Sequence, residues 1–524
     1  MNDPGLSDSG ATMRRRVLGN TASNVAGLLA SRGIWFLLTP FILHHLGATR
    51  YGLWVLVDSI VGYAVIFEAG GADSLQRYIA RFRARGEIGE AASFVSSAIT
   101  LFAATGLAIF ALGLVMAPLV PVLFRVPPSE HALAAQIVRL MTLGVGISLV
   151  AAIPLAILRA LQRYDLVNLL IIVGTMLTAA GAAGALLAGW DLPGLIATGI
   201  VATLVLQIPA LWAVRRVVPD LHPSARAVNR ASLRALAGFG TPLFVHQLAG
   251  RISYRTDEIV IAAMLPVSMV TPYSLARRLA GLGQVVARQF VRVLLPVSAA
   301  LDASGQLEQQ RVLYLSSTRL TLALCLPLAI VAAVLAGPIL AVWVGSEYAQ
   351  YGHLVAILGM AIALDTALWP LAPILQGVGH PGRLALAASV AAAANLGASI
   401  ALIGPLGLTG VALGTVFGAA VGWAVLLPYA LRVLAVPFTR AWREALGPAV
   451  IPAAAIGALL FALARLFEPA STAGVIALAF LGVAGYTASY LLLPATGLER
   501  RTIRDTTRRV LRLEHTEPSA GRGG

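Results

Sequence analysis

The chain has 524 residues, 58% of them hydrophobic and only 12% charged, with a mean hydropathy of +0.84. A soluble domain carries about 25% charge, so this composition excludes one and describes an all-α polytopic membrane protein. The 38 basic residues are all arginine, and 23 acidic residues leave a formal charge of +15. So basic a chain often binds nucleic acid, but here the arginines follow membrane topology, and no nucleic-acid partner is expected.

In chain order, residues 1–16 are polar and read as a disordered cytoplasmic N-terminus with no cleavable signal peptide. Hydrophobic runs of about 20 residues or more, enough to span a bilayer core, then follow one another. They cover 17–43, 51–70, 91–120, 134–158, 166–189, 193–214, 236–264, 269–295, 312–342, 353–376, 384–403, 408–431, 446–467 and 474–494, which predicts about fourteen transmembrane helices. With the N-terminus inside, only Arg50, Arg125 and Arg465 fall in outer segments, while the arginine-rich loops and the basic tail 495–524 fall in cytoplasmic ones. That asymmetry is what the positive-inside rule predicts, and it requires an even number of spans and two cytoplasmic termini. The Arg77–Arg85 loop and the Arg500–Arg512 tail read as basic segments lying on anionic lipid.

An internal repeat gives the domain plan. Leu28-Leu29-Ala30-Ser31-Arg32 echoes Gln247-Leu248-Ala249-Gly250-Arg251 at an offset of 219, which also carries Gly86-Glu87-Ile88 onto Gly305-Gln306-Leu307. Ala160-Leu161-Gln162-Arg163-Tyr164 echoes Ile374-Leu375-Gln376-Gly377-Val378 at an offset of 214. The expected plan is an N-lobe of six helices (17–214), a cytoplasmic linker (215–235), a C-lobe of six helices (236–431) and an extra helix pair (446–494). Parallel repeats of this kind are a transporter architecture, with the substrate between the halves.

The chemistry concentrates in residues 235–296. Arg251, Arg255, Asp257, Glu258, Arg277, Arg278 and Arg288 all lie in what read as membrane helices. Ionisable groups in hydrocarbon cost roughly 2.5–3.5 kcal/mol each by insertion scales, so a group of them is expected to face a polar, water-filled cavity. Arg251, Arg255 and Glu258 share one helix face, and Tyr273, Arg277, Gly281, Gln284, Arg288 and Arg292 form a polar stripe on the next helix. Arg32 holds the repeat position of Arg251, either as an anion contact or in a structural ion pair with Asp58. The expected substrate-binding residues of a cationic cavity are Arg32, Arg251, Arg255, Arg277, Arg288, Tyr273, Gln284 and Asn24, the neutral ones serving either sugar hydroxyls or interhelical packing. Asp58, Asp257, Glu258 and Asp365 are candidate partners of the arginines and candidate carriers of a coupling H+ or Na+.

No catalytic constellation is present: no phosphate-binding loop, no HExxH, no cysteine pair beside the lone Cys325 and no GxSxG elbow. His44-His45 read as a surface pair. The expectation is a non-enzyme without cofactor or metal.

Several segments carry a resemblance. Asn20-Thr21-Ala22-Ser23-Asn24, then Pro40 through Leu46-Gly47-Ala48-Thr49-Arg50-Tyr51-Gly52-Leu53-Trp54, resemble the opening of bacterial polysaccharide exporters and O-antigen-type oligosaccharide flippases. Leu161-Gln162-Arg163-Tyr164-Asp165 and Tyr273 are similar to recurring features of the same group, which belongs to the multidrug/oligosaccharidyl-lipid/polysaccharide exporter superfamily. Glu68-Ala69-Gly70 departs from its pattern, where Asp followed by Leu-Gly or Phe-Gly is commoner. The resemblance implies a two-lobed, alternating-access carrier in a bacterial cytoplasmic membrane. Its substrate would be a polyprenyl-pyrophosphate-linked oligosaccharide for surface polysaccharide or lipopolysaccharide, with membrane lipids, a polymerase and glycosyltransferases as partners. Alternatives are a peptidoglycan-precursor flippase and a cation-coupled drug antiporter; the latter should have an acidic cavity. A membrane glycosyltransferase would need a long outer loop or a catalytic acidic motif, and neither is present.

Overall fold

The computed structural model describes residues 5–497 except 65, 238–240, 292, 470 and 494–495. Within its helices the side chains of 5–30, 66–73, 237, 241–247, 249, 251–254, 286 and 289 also lie outside the description. Among the described residues ten helices are long and apolar enough to cross a membrane. They coincide with the expected spans from 91 to 214 and from 312 to 494. The four remaining expected spans fall on helices that are kinked, broken or charged.

The first helix, α1 (Gly5–Val61), bends at Gly47, whose φ of 69° and ψ of 172° suit only a residue without a Cβ. It is followed by α2 (Ile66–Ala84), so the expected span 51–70 is divided between two helices. Then come α3 (Ile88–Met116), α4 (His131–Ala160), α5 (Tyr164–Leu187), α6 (Asp191–Val217) and the short α7 (Arg230–Ala237). The charged helix α8 (Thr241–Met264) follows the expected boundary to Met264. The expected span 269–295 is broken into α9 (Val270–Ala280), a 3-10 turn at Gly281–Gly283, α10 (Gln284–Val291) and α11 (Leu294–Ala303). The remaining helices are α12 (Leu307–Val334), α13 (Ala336–Val344), α14 (Gly352–Leu368), α15 (Leu371–Gly377), α16 (Pro381–Leu406), α17 (Leu408–Val433), α18 (Gly447–Phe467) and α19 (Thr472–Leu492).

Turn geometry recurs along the chain. Gly86 and Gly305 both take a left-handed φ, 71° and 67°, just before α3 and α12. After α4, Gln162 (φ 57°) donates to Arg159 O at 2.9 Å and Arg163 to Leu158 O at 2.9 Å. After α15, Gly379 (φ 83°) donates to Gln376 O at 3.2 Å and His380 to Leu375 O at 2.8 Å. Both are the paired-bond turn that satisfies the last carbonyls of a helix. They place the register there at 217 residues, which replaces the 214 read from the Leu161-Gln162 echo.

The chain packs into two compact units, each built from separate stretches. The first comprises Met1–Ala276, Trp343–Leu354 and Pro381–Gly422; the second comprises Arg277–Val342, Val355–His380 and Trp423–Gly524. The expected N-lobe, 17–214, falls in the first unit, and the expected C-lobe, 236–431, is divided between the two.

In the first unit, Leu75, Ile79, Phe94, Val95, Leu149, Ile153, Ile157, Leu158, Leu161 and Val214 form one buried core joining α2 to α6. α3 meets α4 backbone to backbone: a Cβ on Gly146 would lie 2.9 Å from Gly106 O, and one on Gly106 2.8 Å from Gly146 O. Small residues allow that approach between membrane helices. Gly146→Val should therefore wedge the pair apart and cost about 1–3 kcal/mol. Gly184→Ala in α5, where an added Cβ meets nothing within 4 Å, should be neutral or stabilising. Thermal unfolding followed by size-exclusion chromatography in detergent checks both, and equal midpoints for the two variants would contradict this packing.

In the second unit the C-terminal pair α18–α19 packs on α12. Leu322, Leu326, Leu446, Ala449, Ala453, Tyr486 and Tyr490 form one buried cluster, and Val331, Leu335 and Leu460 a second. The 3-10 turn brings Gly283 against the Cys325 carbonyl of α12, leaving no room for a Cβ.

Candidate functional site

In the first unit the described side chains of α8 include one ion pair and one buried, hydrogen-bonded carboxylate. Arg255 Nη1 donates to Asp58 Oδ2 of α1 at 2.6 Å. One residue on, Thr256 and Tyr63 share a hydroxyl–hydroxyl bond at 2.5 Å. Asp257, 1% exposed, accepts from Tyr273 Oη of α9 at 2.7 Å and Thr415 Oγ1 of α17 at 2.9 Å through the same oxygen, Oδ2. Glu258 is buried beside it in the chain at 4% exposure. Arg32, the expected partner of Asp58, stands at an exposed position on α1; the ion pair the structure gives Asp58 is with Arg255, a pairing the sequence pattern does not name. Tyr273, expected on a cavity-lining stripe, is fully buried and works as a hydrogen-bond donor inside the unit. The side chains of Asn24 and Arg251 lie outside the described residues.

In the second unit Arg288 is exposed and stands over the Trp369 ring at 4.7 Å, a cation–π distance. Trp369 Nε1 in turn donates to Asp365 Oδ2 at 2.8 Å. Gln284 is buried, with Nε2 at 3.4 Å from Thr366 Oγ1, and Arg277 is half-buried. The expected stripe from Tyr273 to Arg292 is thus interrupted by the 3-10 turn, and its described members sit at different depths. Among the described residues no group of three or more His, Cys, Asp or Glu side chains is placed to hold a metal ion.

The structure also forms a cavity of ≈ 370 Å³ inside the first unit, among α1, α4, α5 and α6. Each of the three later helices contributes a stripe at three- or four-residue spacing: Ser148, Ala152, Leu155 and Arg159; Ile171, Gly174, Thr175 and Thr178; Thr203, Leu206, Gln207 and Ala210. The opposite face of α4 puts Leu149, Ile153 and Ile157 into the core, which fixes the rotation of the helix. Trp35 closes the α1 side; its neighbour Phe36 stacks on Trp343 at 4.1 Å and accepts from its indole N–H at 3.0 Å.

Hydrogen bonding gives this lining a definite polarity. Ser148 donates to Val145 O at 2.9 Å, Thr175 to Ile171 O at 2.8 Å and Thr203 to Gly199 O at 2.9 Å. Gln207 Nε2 donates to Thr203 O at 3.2 Å. With their protons committed to the helix backbone, Ser148 and Thr203 keep lone pairs for a guest, Thr175 also bonds Ser31 Oγ at 3.0 Å, and Gln207 keeps one N–H and its carbonyl oxygen. Acceptors facing an aromatic ring suit the O–H groups and apolar faces of a sugar. Arg159 is the only charged residue among the described lining, and it supplies donors alone. Sequence reasoning took Arg159 as a topological arginine and passed over the hydroxyls. The repeat of Thr175, Thr178, Thr203 and Gln207 at helical spacing was the available signal.

Ten helices of membrane-crossing length among the described residues, four of them from 88 to 217 in the unit that holds the cavity, make this a multi-pass helical membrane protein. The sequence pattern of the family described as "Polysaccharide biosynthesis protein" matches residues 17–302, more than half of the chain, and the protein belongs to that family. It is 25% identical over 385 residues to the succinoglycan biosynthesis transport protein ExoT of Rhizobium meliloti (strain 1021), covering 73% of this chain and 74% of that one. The fold is shared with the lipid II flippase MurJ in an inward closed conformation (TM-score 0.68, 12% identity, 93% of this chain and 100% of that one). It is shared also with an inward-facing multidrug resistance MATE family transporter of the MOP superfamily (TM-score 0.66, 18% identity, 78% of this chain and 94% of that one).

Proposed function

We propose that the protein carries a polyprenyl-pyrophosphate-linked oligosaccharide from the cytoplasmic to the outer leaflet of a bacterial cytoplasmic membrane. It does so as a two-lobed, alternating-access flippase supplying surface polysaccharide assembly, with both termini inside. The observation that carries this reading is the ≈ 370 Å³ cavity: acceptor-rich hydroxyls and Trp35 for a glycan, Arg159 for a phosphate, and no carboxylate among the described lining. A carrier of organic cations would need the reverse polarity. The name of the Rhizobium relative, a transport protein of succinoglycan biosynthesis, points the same way.

Mechanistically, arginine binds phosphate oxygens through paired N–H donors, while the hydroxyl stripes follow the sugars. Asp257 and Glu258, buried in α8, and Asp58 and Asp365 are the candidates to couple H+ or Na+ to the cycle. The glycosyltransferases that build the substrate and the polymerase that consumes it are the proposed partners. Deleting the gene is expected to abolish surface glycan and accumulate lipid-linked repeat units inside, with rescue by the wild-type chain. Normal glycan together with hypersensitivity to cationic drugs would overturn the reading in favour of an antiporter. Loss of cell-wall synthesis with intact glycan would overturn it in favour of a peptidoglycan-precursor flippase.

A further inference from the structure

A second pocket, ≈ 360 Å³, adjoins Arg159 at the end of α4 and is lined by Gln76, Arg77, Ala80, Arg159, Ala160, Gln162 and Tyr164. It is in the size range of small-molecule sites, roughly 300–1,000 Å³, and Arg159 lines both this pocket and the larger cavity. We propose that it is a phosphoryl-anion site, where a pyrophosphate or phosphate group docks before the attached glycan reaches the hydroxyl-lined cavity.

The case rests on rigidity and on uncommitted charge. Leu75 and Ile79 of α2, Leu158 of α4 and Leu161 just after it are buried in the unit's core, which fixes the two backbones that present Arg77 and Arg159. The turn that follows α4 is locked by the Gln162–Arg159 and Arg163–Leu158 backbone bonds. The carboxylate nearest in sequence, Asp165, is held by Arg163 through two bonds, Nε at 3.0 Å and Nη2 at 2.9 Å. Among the described residues neither Arg77 nor Arg159 has a carboxylate partner, and Gln76, Gln162 and Tyr164 make no side-chain hydrogen bond. Two guanidinium groups, two amides and a phenol thus face one pocket with their donors unspent. Cations at a membrane boundary without counter-charge are what an anion recruits. Identifying the anion as the carrier pyrophosphate rests on the flippase reading; anion binding itself does not.

Cys325 is the only cysteine and is fully buried, so Gln162→Cys at the exposed pocket rim introduces a single reactive thiol. The full chain carrying it, in phosphatidylcholine nanodiscs, is labelled with a fluorescent maleimide at increasing inorganic pyrophosphate, and in parallel nanodiscs containing phosphatidylglycerol. At pyrophosphate ten times its Kd, labelling is expected to slow about tenfold. Adding Arg159→Gln or Arg77→Gln should remove the protection, while Arg81→Gln, one turn beyond Arg77 on α2 and outside the pocket, should keep it. Protection by pyrophosphate identifies the soluble diphosphate chemistry of the carrier; protection only by phosphatidylglycerol identifies a bilayer headgroup at the same anion site. Protection from neither, or protection that survives both arginine variants in chains that remain monodisperse, overturns the site. Failure of glycan export in cells with protection intact would count against the flippase reading alone.

Discussion

Asp257→Ala is expected to lose about 1–3 kcal/mol of stability, because it removes the carboxylate acceptor of the buried Tyr273 hydroxyl, whereas Thr415 also has Val411 O within reach at 3.1 Å. Asp257 is 1% exposed and gathers Tyr273 of α9 and Thr415 of α17 onto one carboxylate oxygen of α8, at 2.7 and 2.9 Å. Asp257→Asn keeps an oxygen that can accept from both hydroxyls, so it should fold and purify like the wild type. Thermal unfolding of the purified proteins in detergent measures the contrast. If Ala and Asn variants melt together near wild type, the carboxylate does not hold these three helices. Transport by the folded Asn variant then separates the two remaining roles: retained activity makes Asp257 structural, and lost activity makes it a carrier of the coupling ion.

Arg159→Gln is expected to reduce surface glycan about 10–100-fold at matched protein levels, the value of one charge-assisted, bidentate contact of about 1.5–3 kcal/mol. The effect should be large because Arg159 lines both cavities of the first unit. Arg159→Lys keeps the charge but not the planar fork, so it should rescue only part of the loss. Arg81→Gln removes the same charge outside both cavities and should export normally. Equal export by the Arg159→Gln and Arg81→Gln variants would show that only net charge is being read.

Much of this fold is legible in the sequence, since apolar runs bounded by Pro, Gly and Arg carry the information directly. The ten helices of membrane-crossing length among the described residues all lie on runs expected from hydropathy. Hydropathy fails where a helix changes direction without changing composition. The break at Gly281–Gly283 coincides with close approach of Gly283 to the Cys325 carbonyl, a contact 42 residues distant in the chain that no local pattern encodes. The same limit applies to the charged stretch. Periodicity put Arg255 and Glu258 on one face, but only three-dimensional packing shows that Arg255 meets Asp58 and that Asp257 is the buried acceptor for Tyr273. Arg159 was overlooked for a different reason. An arginine at the end of a hydrophobic run satisfies the positive-inside rule, and that sufficient explanation hides the pocket formed when α2 packs beside it.

The most direct measurement reconstitutes the purified chain in liposomes holding a fluorescent polyprenyl-pyrophosphate-linked oligosaccharide and follows its arrival in the opposite leaflet by a membrane-impermeant quencher. The account predicts that the wild-type chain accelerates translocation well above protein-free liposomes, and that the Arg159→Gln chain, reconstituted at equal density, does so far more slowly. Translocation no faster than in empty liposomes, under imposed H+ and Na+ gradients alike, would contradict it.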